Sequence, residues 1–210
     1  MAQQKRRDGK VEHPREVELL ASPIRQEIVD TLEALGGEAP VAAIAAQLGR
    51  PADGLYYHLR LLAEGGLLDE LPAGGDGRRY RTRSGRARMQ LRYRPGATAN
   101  ARAVARVAAS MLRIADRDFR AALGDAAVTV DGPRRALWAS RTKGWVGSAE
   151  LEEINRLLLR LGDLLHQARG PRRDRLLALT WVLAPVAARP ARRAAAPRRT
   201  PAPKRGRRSI

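Results

Sequence analysis

Leu55-Tyr56-Tyr57-His58-Leu59-Arg60-Leu61-Leu62, running on to Gly65-Gly66-Leu67-Leu68, is the stretch on which the reading of the fold turns. Leu55, Leu59 and Leu62 recur four and three residues apart, the spacing of one face of an α-helix. Tyr56, Tyr57 and Arg60 fall away from that face. Pro51 opens the helix and Gly65-Gly66 stops it. Asp53 belongs to its first turn, where a carboxylate complements the helix dipole. His58 lies at the edge of the apolar face, as a half-buried structural histidine would.

Two more helices precede this one. Ser22-Pro23 places a cap before a helix-opening proline, and Ile24, Ile28, Val29, Leu32 and Leu35 follow at helical spacing until Gly36-Gly37. Pro40 opens the next, with Val41, Ile44, Ala45 and Leu48 on one face before Gly49. Two helices joined by a short Gly-containing turn form a helix-turn-helix pattern. Downstream, Leu67, Leu68 and Leu71 read as a strand, Ala73 to Gly77 as a flexible tip, and Arg78 to Arg83 as the returning strand of a β-hairpin wing. That strand, with its extension through Arg86, Arg88, Arg92 and Arg94, carries no acidic residue.

The spacing predicts a mainly α fold with a β-hairpin wing: a winged helix-turn-helix domain over 13–94 after a disordered arm at 1–12. Residues 95–187 then form a dimerisation and effector region. In it a long helix from about Asn100 to Leu123 leads to a small α+β part, helical over Leu151 to Gln167 and a strand over Leu176 to Leu183. Residues 188–210, rich in Arg, Pro and Ala, read as a disordered basic tail.

Composition narrows the function. The chain has 210 residues and a formal charge of +18, a surplus that attracts polyanions through counterion release, nucleic acid first among them. Without cysteine there is no disulfide framework and no thiolate metal site. The three histidines, His13, His58 and His166, are widely spaced, so no metal and no cofactor is expected. Met1 to Lys10 is polar and basic, and no stretch approaches the ~20 apolar residues of a membrane span, so a cytoplasmic, nucleoid-associated protein is expected.

The residues resemble the ArsR-type winged helix regulators. Leu19-Leu20-Ala21-Ser22-Pro23-Ile24-Arg25 is similar to that family's opening helix pair, and Leu55 to Leu62 with the Gly65-Gly66-Leu67 exit to its recognition helix, in a subgroup carrying Tyr-Tyr-His-Leu. The resemblance spans about residues 15 to 94 and implies DNA binding. It departs from the metal-sensing members completely, since their cysteines are missing. Segments around Leu137-Trp138-Ala139-Ser140-Arg141 and Thr180-Trp181-Val182-Leu183 are similar to C-terminal parts of the same subgroup.

Candidate roles follow. Tyr56, Tyr57 and Arg60 are expected in a major groove, where Arg is the commonest reader of guanine; the alternative is a solvated polar face. Arg78, Arg79, Arg81 and Arg83 are expected at phosphates or a minor groove, with only about half facing DNA together because a strand alternates its sides. Val104, Val107, Met111 and Ile114 form an apolar stripe that a partner helix would cover, giving a homodimer. Trp138, Arg141, Lys143 and Trp145 would line a pocket for an anionic or aromatic effector, or serve as packing anchors. Glu150, Glu152 and Glu153 follow Ser148 in a first helical turn and read as dipole partners rather than acid-base catalysts. With no phosphate loop or nucleophile motif, a non-enzyme is expected. The leading function is a sequence-specific regulator of transcription on double-stranded DNA. The alternatives are a sequence-tolerant architectural protein and a winged-helix interaction adaptor.

Overall fold

His13 accepts a hydrogen bond from the Arg15 amide through Nδ1 at 3.3 Å, and Pro14 supplies the fixed φ of a first turn, so α1 (Pro14–Leu20) begins there. At the start of α2 (Pro23–Ala34), Ser22 has the extended backbone of a cap, yet its hydroxyl makes no capping bond. The junction is held instead by Arg25, whose Nε donates to the Leu19 carbonyl at 2.6 Å and satisfies an acceptor at the end of α1. A short strand, β2 (Glu38–Pro40), leads into α3 (Val41–Leu48), which ends on Gly49 in the left-handed conformation at φ 61°. α4 (Asp53–Glu64) begins two residues after Pro51, and β3 (Leu68–Gly74) and β4 (Gly77–Thr82) form the hairpin that follows.

The computed structural model describes residues 10–75, 77–85, 88–96, 98–167 and 170–187. Arm residues 1–9, the tail at 188–210, Asp76 and Arg86 lie outside the described residues. The architecture is a winged helix-turn-helix followed by a long helix.

An antiparallel sheet of order β2-β4-β3 closes the domain, with Ala39 opposite Tyr80 and Leu68 opposite Thr82. These four residues lie on its buried side. They meet Ile28 and Leu32 of α2, Ile44 of α3 and Leu55, Leu59 and Leu62 of α4 in one core. Gly37 is required where α2 runs into β2: its φ is +89°, its carbonyl accepts from the Thr82 amide at 2.9 Å, and a Cβ would sit 2.6 Å from the Gly85 carbonyl oxygen.

Two boundaries differ from the sequence reading. Lys10–Val11, read as arm, form β1, a parallel partner of β5 (Gln90–Leu91), and Val11 is buried. The long helix α5 (Ala99–Leu123) belongs to the first core rather than to a separate region. Its Ala103 and Val107 are buried there, Arg106 pairs with Glu18 of α1, and Arg117 reaches Glu27 of α2 at 2.7 Å. Thr98 caps α5 by accepting from the Ala101 amide at 3.0 Å.

Asn100 makes the joint. Its side-chain amide donates to the carbonyls of Glu12 at 2.8 Å and Arg92 at 3.2 Å, and its Oδ1 accepts from the Arg94 amide at 2.8 Å. One buried side chain thus ties α5 to the residues that follow β1 and β5.

Beyond α5 the expectation of an α+β unit is half met. α6 (Ser148–Leu165) forms, with the Glu150 carboxylate accepting from the Gly147 amide at 2.9 Å. The strand expected over Leu176 to Leu183 does not form: these residues run without helix, strand, turn or bend. A strand exists only where a neighbour takes its backbone donors and acceptors, and no described segment pairs with this one.

Asn100→Leu removes the partner of three part-buried backbone groups and is expected to destabilise the domain by about 1–3 kcal/mol, as read from the urea midpoint at unchanged slope.

Candidate nucleic-acid interface

Burying Leu55, Leu59 and Leu62 fixes the rotation of α4 about its axis. The opposite face is then determined by the 100° step of the helix, and it carries Tyr56, Tyr57 and Arg60. Tyr57 is 56% exposed and Tyr56 37%. The Arg60 guanidinium stands 6.0 Å from the Tyr57 ring centre and 3.8 Å from Glu64 one turn on, a loose arrangement that leaves its donors accessible. Asp53 occupies the first turn of α4. His58 is half-buried, and burial together with Arg25 and Arg50 lowers its pKa, so its imidazole is neutral at pH 7.

Strand alternation divides the four wing arginines. Tyr80 and Thr82 point into the core, so Arg78, two residues before Tyr80, shares their side of β4. There it lies with its guanidinium 5.8 Å from the Tyr56 ring centre and 3.6 Å from Glu70. The wing and α4 therefore meet through Arg78 and Tyr56. Arg79, Arg81 and Arg83 take the other side. Arg79 reaches Glu38 of β2 at 3.3 Å, and Arg81 and Arg83 reach Asp69 of β3 at 3.9 and 3.0 Å. The sequence reading missed these acids because they lie on neighbouring strands, brought opposite Arg81 by the register. Leu68 inward and Asp69 outward was the available signal.

The other candidate positions separate as well. Of the α5 stripe, Val107 is fully buried against the chain's own core, and Val104 and Met111 pack on the edge of that core, so no partner helix is needed to cover them. Ile114 is half-exposed. Trp138 and Trp145 are exposed, Trp145 at 92%, and neither anchors packing within the chain. Trp138 is covered on one face by the Arg135 guanidinium at 3.9 Å, while Arg141 and Lys143 lie exposed nearby in sequence. No group of three or more His, Asp or Glu among the described residues is arranged to hold a metal ion. No helix among them is long and apolar enough to cross a membrane.

A family model described as a helix-turn-helix domain matches residues 20–70, from the end of α1 through α4 into β3. No curated protein and no solved structure matches the chain. A helix-turn-helix domain suggests a DNA-binding regulator, and the matched segment is the one that carries Tyr56, Tyr57 and Arg60.

Asp69→Asn removes the carboxylate that Arg81 and Arg83 share while keeping its size. Binding to mixed-sequence duplex DNA, followed by fluorescence anisotropy at fixed salt, is expected to tighten severalfold.

Proposed function

We propose that the chain is a sequence-specific DNA-binding regulator of transcription that acts as a homodimer on double-stranded DNA, an ArsR-like protein lacking the metal-sensing thiols. The observation that carries this reading is the outward face of α4, two tyrosines and an arginine held away from a leucine-seated core and continued by Arg78 of the wing. A helix of that diameter fits a major groove, where a guanidinium offers paired donors to guanine O6 and N7. Tyr56 and Tyr57 supply apolar contact to a thymine methyl and hydroxyls to phosphate. Arg79, Arg81 and Arg83 exchange their carboxylate partners for phosphates, which adds affinity without reading sequence.

The charge of +18 favours a sequence-tolerant component beside the specific one. Nine basic residues from Arg189 to Arg208 include no acidic neighbour and contribute through counterion release alone. Selection of bound sequences from a randomised duplex pool separates the two. A regulator yields two half-sites with centres about one helical turn apart, and an architectural protein yields no consensus.

On the selected site, Arg60→Ala is expected to cost about 1–3 kcal/mol and relax one or two base positions, whereas Arg81→Ala weakens all sequences alike. An unaltered preference in Arg60→Ala contradicts the assignment of α4 as the reading helix. Removing residues 189–210 is expected to flatten the salt slope by several units per dimer while leaving the ratio of specific to non-specific affinity nearly intact. A titration across salt concentrations with both proteins checks it.

A further inference from the structure

The buried apolar core among the described residues ends at Val107. Among the described residues after Gly124 no apolar side chain is fully buried, and most of the large ones are exposed. On α6, Leu151, Ile154, Leu158, Leu161 and Leu165 recur at spacings of three and four and so share one face, which Leu157 and Leu164 widen. The helix meets the winged domain near its C-terminal end, where Gly162 abuts the Arg88 guanidinium and His166 lies 3.7 Å from Glu33. Leu151, Leu157, Leu161, Leu164 and Leu165 stay exposed.

Two segments without regular structure flank α6, one through Trp138 and Trp145 and one from Leu176 to Val186. In the second, Leu177, Leu179, Trp181 and Leu183 alternate with Leu176, Ala178, Thr180 and Val182. Both sides of an extended chain there are apolar, the pattern of a strand buried on two faces. Neither segment pairs with another among the described residues. Together the side chains exposed from Trp138 to Val186 present on the order of 1,000 Å² of apolar surface, comparable to the ~800 Å² that each partner contributes to a standard interface.

We infer that residues 137–146 and 174–187 pair as strands with a second copy of this chain, forming an intermolecular sheet that covers the apolar face of α6. The second copy is the occupant because one chain carries both halves of the contact: a helix face lacking a sheet, and strands lacking neighbours. A two-fold exchange completes both at once. The α5 stripe, whose centre is already buried in the monomer, is then not the main dimer contact. The inference rests on the homodimer reading above and names its surface.

The test uses the full chain. Its three tryptophans, Trp138, Trp145 and Trp181, all lie in this region, so selectively excited tryptophan fluorescence reports on it alone. The wild type is expected to be a dimer by sedimentation at micromolar concentration, with tryptophan emission that moves to the red on dilution. Leu179→Asp combined with Val182→Asp puts a charge on each face of the expected strand, at positions exposed in the single chain. This variant is expected to keep its helical circular dichroism, lose at least about a hundredfold in self-association and emit in the red at all concentrations. A monomeric wild type overturns the inference, and so does a variant that stays dimeric with unshifted emission. Loss of association with the red shift supports it whether or not DNA is bound. Failure of wild type and variant alike to bind DNA overturns the regulator reading and leaves the interface standing.

Discussion

The seating of Leu55, Leu59 and Leu62 against Tyr80, Ile28 and Ile44 is the constraint on which the rest of this structure depends. Each buried leucine is worth about 1.5–3 kcal/mol relative to exposure, so the three together outweigh any preference of the outward residues for another orientation. Helix geometry then leaves Tyr56, Tyr57 and Arg60 no direction but outward. Tyr80 couples the wing to the same core: with its ring buried there, β4 is held in a register that brings Arg78 to Tyr56. Burial and the neighbouring Glu70 carboxylate both keep the Tyr80 phenol protonated, so the seat is uncharged at working pH.

A large positive charge does not by itself mean free positive groups. On the outer side of the wing the arginines are already partnered by Glu38 and Asp69. Such part-exposed pairs contribute roughly 0.2–1 kcal/mol, little enough for a phosphate to displace a carboxylate, yet enough to hold the side chains ordered beforehand. On the inner side, Arg78 pairs with both Glu70 and the Tyr56 ring. The wing is therefore a graded surface in which the electrostatic attraction of DNA competes with internal acids. Asn100 performs the mechanical counterpart, fixing the start of α5 to the chain that leaves β1 and β5.

The helices were legible because a periodic pattern several turns long has few rival explanations. α2, α3 and α5 fall within a residue or two of the expected limits, and the hairpin was marked by its glycines. β1 and β2 were not legible: at two and three residues they carry no period, and each exists only because a distant strand lies beside it. Asn100 was read as a helix start, since its clamp joins residues far apart in sequence. The pattern at Leu176 to Leu183 was strand-like, but a pattern states what a segment can bury, not whether a neighbour is present. At the interface, the outward residues of α4 were legible from the leucine spacing, whereas the acids that hold Arg79, Arg81 and Arg83 follow from cross-strand register.

The central claim is that the outward face of α4 meets DNA, and amide chemical-shift mapping of the full chain during titration with a selected duplex tests it most directly. The account predicts that the largest changes cluster at Tyr56, Tyr57 and Arg60, with Arg78 next, while the amides of Ala103 and Val107 in α5 stay where they are. Changes concentrated on the outer side of the wing or along α5, with α4 unperturbed, would contradict it.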